Sequence, residues 1–374
     1  MDFTQTEAQQ DLARLTGEVC RELVTPERLR ELDRNADANG EAVVRFDEQL
    51  WKALAGAGVL AAALPSTVGG DDFGVLERTA VLRELGKSVA AVPYLCSIAL
   101  AADALAAFGS DTQREFATRA ASGEIILTVA LSEALNWEPR EPLTIAADAE
   151  GWKLTGAKNA VPFAAQAERI LVPATVGGST ALFLVHPGAE GVTLTPQVPT
   201  DRSAEYAVEF DSVRGELVGS VEQGADIMNR LLEHAWLGTA ASQLGTLERA
   251  LTLAADYARD REQFGRKIGS FQAVAQRLAD SYIDVQGLRL TVTQAAWRLA
   301  EGLSATAEVH TAKFWAAEAG HRVAHAVVHV HGGVGIDRDH IVNQYFTAAK
   351  HNEFALGGAT DHLRALGATL ATAL

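Results

Sequence analysis

"RDREQFGRKIGSFQAVAQRLAD", residues 259–280, joins an arginine-bearing turn, Arg-Glu-Gln-Phe-Gly, to the start of a new helical pattern. An Arg guanidinium matches phosphate oxygens with planar, paired donors. Phe264 offers a face to a flat ring, and Gly265 lets a backbone come close to a ligand. Upstream of this run, Leu244, Leu247, Leu251, Ala255 and Ala258 recur at three- and four-residue steps, which predicts one apolar helix face. All ten prolines lie at or before Pro199, and 200–374 is rich in Ala, Leu, Glu, Gln and Arg. The chain from about residue 224 onward therefore predicts several long helices packed as a bundle.

Toward the N-terminus the pattern is again helical. "DEQLWKALAGAGVLAAALP" (47–65) predicts an apolar helix that stops at Pro65. "PSTVGGDDFG" (65–74) reads as a glycine-rich turn, and "VLERTAVLRELGKS" (75–88) resumes the helical period. The middle differs. "GWKLTGAKNAV" (151–161), "RILVPATV" (169–176), "TALFLVH" (180–186), "GVTLTPQV" (191–198) and "EYAVEFDSV" (205–213) are short β-rich runs parted by Gly, Pro, Asp and Thr. They predict a small antiparallel sandwich or barrel. The expectation is a mainly α chain with a β insert: a helical domain over 1–122, a β domain over 123–222 and a helical bundle over 223–374.

A chain of 374 residues exceeds one compact core and suits two or three domains. Its 32 basic and 48 acidic residues give a net charge of −16. That excludes a general nucleic-acid surface and an anionic membrane surface, both of which need a basic field. Cys20 and Cys96 stand in no metal or redox spacing and read as reduced thiols. "MDFTQTEAQQ" has no basic, then apolar, leader pattern, and the Ala/Leu-rich stretch at 97–108 contains Asp103 and is too short to span a bilayer. A cytoplasmic protein is expected.

Four segments, in order and spacing, carry a resemblance to the acyl-CoA dehydrogenase family across essentially the whole chain. They are "PSTVGG" (65–70), "GWKLTGAKNAV" (151–161), the 259–280 run and "VHGGVG" (330–335). The resemblance implies an N-terminal helical domain, a middle β domain and a C-terminal four-helix bundle. It implies FAD bound between them and across a subunit boundary. The reaction implied is α,β-dehydrogenation of an acyl-CoA thioester: a carboxylate takes the α proton while the β hydrogen leaves as hydride to the flavin. The α carbon is weakly acidic, so a positioned base is needed, and the flavin supplies the hydride chemistry. By resemblance, Arg261, Gln263, Phe264, Gly265 and Gln272 contact the ADP half of an FAD held by a neighbouring subunit. Gly332, Gly333 and Gly335 let the main chain reach a phosphate or ribose, with His329 where the family usually has Gln. His321, His325 and His329 share one helix face at i, i+4, i+8, as in a metal site. No carboxylate stands at a supporting sequence position, and no metal is expected.

The segments that hold a chain's own flavin ring depart from the family pattern. After "TVALSE" (128–133) a Gly-Ser-Asp loop is expected, and this chain has "ALNWEPREP" (134–142). Ser132 remains as a flavin-facing hydroxyl. Ala160 and Pro162 stand where an aromatic ring and a Thr or Ser hydroxyl are usual. Aligned on "TAAK" (347–350), the usual catalytic Glu falls on Leu356. The alternative base position falls on Ala235, and an Arg often beside it becomes Trp236. Glu233, His234, Glu353 and Asp361 are reserve candidates.

Losing the base and the ring contacts while keeping the ADP contacts fits a subunit with a dead site that completes the FAD site of a related catalytic chain. This resembles the non-catalytic chains of α2β2 acyl-CoA dehydrogenases in actinobacterial sterol side-chain breakdown, with an electron-transfer flavoprotein or similar acceptor. The competing readings are a self-sufficient homo-oligomer with a relocated base, a flavin monooxygenase or oxidase on the same fold, and a helical scaffold. Ala235, Gly238, Ala240 and Ala241 leave room for a bulky acyl group or simply allow tight helix packing.

Overall fold

The structure, a computed structural model, describes residues 3–38, 45–136, 139–148 and 151–372. Helices come first: α1 (Glu7–Leu23), α2 (Pro26–Ala38), α3 (Glu48–Gly56), α4 (Val59–Ala62), α5 (Val75–Lys87), α6 (Asp103–Phe108) and α7 (Asp111–Ala121), with a π-helix at Tyr94–Ala102. Strands follow: β1 (Leu127–Val129), β2 (Ile145–Asp148), β3 (Trp152–Pro162), β4 (Arg169–Val176), β5 (Ser179–Val185), β6 (Val192–Gln197), β7 (Glu205–Arg214) and β8 (Glu216–Val218). The rest is helical: α8 (Gly224–Asp260), a hairpin of β9 (Glu262–Gln263) and β10 (Arg266–Lys267), α9 (Gln272–Ala300), α10 (Thr306–His331), α11 (Ile341–Phe354) and α12 (Ala359–Thr372). The expected order of helices, strands and helices is what the chain adopts.

Two local expectations are corrected. The run 47–65 is two helices, because Gly58 enters the left-handed region at φ 76° and breaks it between α3 and α4. The strands form one mixed sheet, ordered β6-β7-β3-β2-β4-β5-β8, with β1 also on β4. β1 and β2 each pair parallel to β4, while the other pairs are antiparallel.

By contacts the chain divides into two compact units. One comprises 31–74 and 91–235. Its core is the apolar face of the sheet, with Leu154, Val161, Ile170, Val172, Phe183, Val208 and Val213 buried. β5 is buried along five consecutive residues, so both faces of that strand are covered.

The other unit comprises 1–30, 75–90 and 236–374. α1 starts at a capping box in which the Thr6 hydroxyl accepts from Gln9 N–H and the Gln9 side chain answers Thr6 N–H. α10 packs against α9, α11 and α12 and is the central helix. α5 crosses α8 where neither carries a side chain. A methyl built on Gly86 would lie 2.1 Å from the Ser242 carbonyl oxygen, and one on Gly245 1.9 Å from that of Arg83. The crossing is tied by Glu248, whose carboxylate takes both prongs of Arg83 and one of Arg289 at 2.8 Å.

Candidate functional site

The hairpin after α8 turns through two residues, Phe264 at φ 54° and Gly265 at φ 76°. Two positive φ angles in a two-residue loop make a turn that follows the strand twist. Glycine enters that region freely; phenylalanine does so at a steric cost. The ring is nevertheless 92% exposed, held edge-on to Phe271 at 6.1 Å. A large apolar ring that is both strained and exposed is a poor way to stabilise a chain and a good way to present a surface. Arg261, Gln263 and Gln272 are exposed beside it. α9 begins at Gln272 with no side-chain cap, so its first N–H groups carry the positive end of a 29-residue helix.

The second glycine segment meets the first. The imidazole of His331, the last residue of α10, stacks on the Tyr257 ring with centroids 4.5 Å apart and planes 24° apart. Tyr257 lies one turn before Arg261, whose N–H it accepts at 2.8 Å. His331 donates from Nδ1 to Val327 O at 2.8 Å, and burial pushes its pKa down, partly opposed by that hydrogen bond. This contact sets the 261–265 hairpin and the 332–336 turn at the same end of the bundle. Gly332 and Gly333 are exposed, and a methyl on either would meet nothing within 4 Å. Gly335 differs: its methyl would lie 2.8 Å from Val328 O, so it serves local packing. His329 is exposed on the same face of α10 as His321 and His325. Apart from the buried Gly335, the sequence-predicted residues of the ADP-contacting set are exposed on one unit.

In the sheet unit the positions expected to face a flavin ring make the following contacts. Ala160 sits at a bulge of β3, in the left-handed region at φ 50°, and its N–H donates to Gln197 Oε1 at 2.9 Å. Gln197 also donates to Asn159 at 2.6 Å, so one glutamine stitches the bulge. Pro162 has no N–H. Ser132 is half-buried and bridges through its carbonyl to Asn159 N–H at 2.8 Å. The loop that follows is anchored by Glu133, whose carboxylate takes the Lys158 ammonium at 2.6 Å, Thr144 N–H at 2.9 Å and the Thr144 hydroxyl at 2.7 Å. Burial disfavours the Glu133 charge, but Lys158 and these donors outweigh it and hold the carboxyl at about 2. Within that loop Trp137 and Glu138 lie outside the described residues.

The turn after α11 carries no proton acceptor. Leu356 is in the left-handed region at φ 56° and Gly357 follows at φ 105°. Ala235 is fully buried. The reserve candidates are engaged elsewhere. Glu353 is paired with Lys350 at 2.5 Å and His321 at 3.2 Å. Asp361 accepts Gly358 N–H at 2.9 Å at the start of α12. His234 lies 3.4 Å from Asp103, which Arg230 also holds at 2.8 Å, and Glu233 is half-buried. The Glu353 contact corrects one expectation, since a carboxylate does support the histidine face. Even so, among the described residues no group of three His, Cys, Asp or Glu is arranged to hold a metal ion.

Beneath the turn lies a buried cluster that sequence reasoning missed. Trp236, His310, Lys313 and His362 are 3%, 2%, 0% and 2% exposed. Trp236 Nε1–H donates to Leu356 O at 3.0 Å, and His362 Nε2 lies 3.1 Å from the same oxygen. His310 Nδ1 meets His362 Nδ1 at 2.9 Å. Lys313 Nζ donates to Gly357 O at 2.7 Å and to Asn352 O and Glu353 O at 3.3 Å. Burial pushes Lys313 down to about 7, with Glu353 and Asp361 opposing. Burial, Lys313 and His310 push His362 down to about 3. The available signal was Lys313 itself, a cation on the apolar stripe of α10 between Val309 and Ala316.

Comparison with known proteins places this geometry. Residues 6–124 match the family model for the acyl-CoA dehydrogenase N-terminal domain, and 222–370 that for the C-terminal domain. The chain is 49% identical over 386 residues to acyl-CoA dehydrogenase FadE27 of Mycobacterium tuberculosis, covering 99% of each. It superposes on a chain of the ChsE4–ChsE5 complex from Mycobacterium tuberculosis with a TM-score of 0.93, 50% identity and 99% coverage of both. It superposes on a chain of Tcur3481–Tcur3483, described as a steroid ACAD, with a TM-score of 0.91, 35% identity and 98% coverage of both. Among the described residues no helix is long and apolar enough to cross a membrane.

Proposed function

This chain belongs to the acyl-CoA dehydrogenase family, and from that premise we propose that it is the non-catalytic subunit of a heteromeric enzyme, lending its nucleotide-binding face to the FAD of a related catalytic chain. FAD is the cofactor and supplies the hydride acceptor when bound. Abstraction of the α proton needs a positioned acceptor. Leu356 and Ala235 cannot provide one, and Glu353 and Asp361 are committed to other partners.

We assign the Arg261 guanidinium to a phosphate and the Phe264 ring to the adenine, with Gln263 and Gln272 donating to the nucleotide. Gly265, Gly332 and Gly333 allow close approach of the main chain, and His329 contacts the same half. The open end of α9 favours a pyrophosphate. One contrast carries the reading: the ADP-side residues are grouped and exposed, while the turn that should bear the base has its carbonyls locked from below.

The two-chain make-up of ChsE4–ChsE5 supports an α2β2 assembly with a catalytic partner, and the steroid label of Tcur3481–Tcur3483 supports a bulky sterol side-chain acyl-CoA as its substrate. An electron-transfer flavoprotein or a similar acceptor would reoxidise the flavin. We retain the division at 1–122, 123–222 and 223–374 as the domain plan, and the cytoplasm as the site of action.

The test is substitution in the co-purified two-chain assembly. Removing a charge-assisted contact to phosphate costs about 1.5–3 kcal/mol, so Arg261→Ala in this chain weakens FAD retention roughly tenfold or more. Unchanged flavin content on dilution would remove Arg261 from the site.

A further inference from the structure

We propose that Trp236, His310, His362 and Lys313 are positioning residues that fix the baseless turn 354–358 through its carbonyl oxygens, making it a rigid wall rather than the carrier of a reactive group. The geometry stands whether or not the chain is a non-catalytic subunit.

A helix leaves its last carbonyls without partners, and the usual remedy is a glycine in the left-handed region just past the end. α11 ends at Phe354, but the first residue past it in that region is Leu356. A leucine persists there only where its surroundings over-determine it. Three side chains from three helices do so. Trp236 from α8 and His362 from α12 share Leu356 O, and Lys313 from α10 gathers Gly357 O with two carbonyls at the end of α11.

For neutral imidazoles the hydrogen-bond order follows by elimination. A carbonyl only accepts, so His362 donates to Leu356 O from Nε2. Its Nδ1 is then the acceptor, and His310 donates to it from Nδ1. The Trp236 ring lies against both imidazoles, at 4.7 Å and 5.3 Å. Protonation of His362 would turn its Nδ1 from acceptor into donor, so the relay in this order belongs to the neutral ring. The groups facing it are Lys313 and His310, and Glu353 and Asp361 face Lys313.

Hydrogen exchange of the peptide spanning 351–362, in the full chain, tests the assignment. His362→Phe keeps a ring and loses the donor, and the turn amides should exchange about tenfold faster, the factor for one buried hydrogen bond. His362→Gln can still donate to Leu356 O and should restore protection. Leu356→Glu keeps the backbone carbonyl that the donors hold and should leave protection as it is. After correction for intrinsic rates, protection in the unmodified chain should fall on acidification, and fall less in His362→Gln. Should His362→Phe not fold, Trp236→Phe removes the other donor and serves in its place. Wild-type protection in a folded donor-deleting variant, or identical pH profiles for the unmodified chain and His362→Gln, would overturn the proposal.

Discussion

The indole N–H of Trp236 donates to the carbonyl of Leu356 at 3.0 Å, across 120 residues of sequence. By the family resemblance, Leu356 falls where a catalytic Glu is expected and Trp236 where an Arg is expected beside the alternative base. Neutral drift at an abandoned site would leave unpartnered polar groups and gaps. Here the two replacements meet, and the indole is buried beneath the turn it supports. The turn is held from below by a buried donor, which is what the proposed non-catalytic role needs of a wall that carries no acid.

Acid should loosen the bundle unit. His362 sits at about 3 when folded, against 6.5 for a free imidazole. Between those values the unfolded chain binds the extra proton, so stability drains as pH falls through that window. Lys313, at about 7 against 10.5, acts over a higher window with the same sign, and stability rises as pH climbs from 7 toward 10.5. Urea midpoints from pH 4 to 9 should rise with pH, and His362→Gln should flatten the acid limb. An acid limb unchanged in that variant would contradict the assignment.

Glu133 should be the costliest single loss in the sheet unit. Lys158 is 2% exposed, and Glu133→Gln leaves its ammonium buried without a counter-charge. Breaking a buried pair from one side typically costs about 3–5 kcal/mol. Because the folded carboxyl sits at about 2, below the usual 4.5, its contribution is intact above pH 4.5 and is lost as pH falls through 2. Denaturation of Glu133→Gln at pH 7 measures the first part, and a loss under about 1 kcal/mol would count against it.

Phe264→Gly should separate stability from function. The left-handed turn costs a side chain about 1–2 kcal/mol that glycine does not incur, so the isolated chain should gain up to about that much. The same change removes the exposed ring, and the two-chain assembly should lose FAD more readily. Thermal unfolding of the chain and flavin release from the assembly read the two effects. Equal or lower stability together with unchanged flavin retention would show that the ring is ordinary surface.

Most of the architecture was legible from the proline-free tail, the short β-rich runs and the glycine turns, because local propensity and tertiary fold agree there. The α8 stripe shows the limit. Leu244, Leu247 and Ala258 are buried as expected, but Leu251 and Ala255 are half-buried while Ala250 and Ala254 fill the core. Both steps suit a 3.6-residue period, and only the neighbouring helices choose between them. The residues assigned to the ADP half stood out as a motif; their exposure and the Tyr257–His331 stack that joins the two segments did not. Of the Trp236, His310, Lys313 and His362 cluster only Lys313, a cation on an apolar stripe, left a sequence signal; the grouping did not, since its members come from three helices. The parallel pairing of β1 and β2 with β4 was missed because these two strands, three and four residues long, are too short to stand out as β-rich runs.

The most direct test of the account is the amount of flavin bound per chain, by visible absorbance, for this protein purified alone and co-expressed with its related dehydrogenase chain. A dependent subunit should be folded but nearly colourless alone, and the assembly should hold fewer flavins than chains. About one FAD per chain in the protein alone would contradict it, since the chain would then hold its own flavin despite Ala160, Pro162 and Leu356.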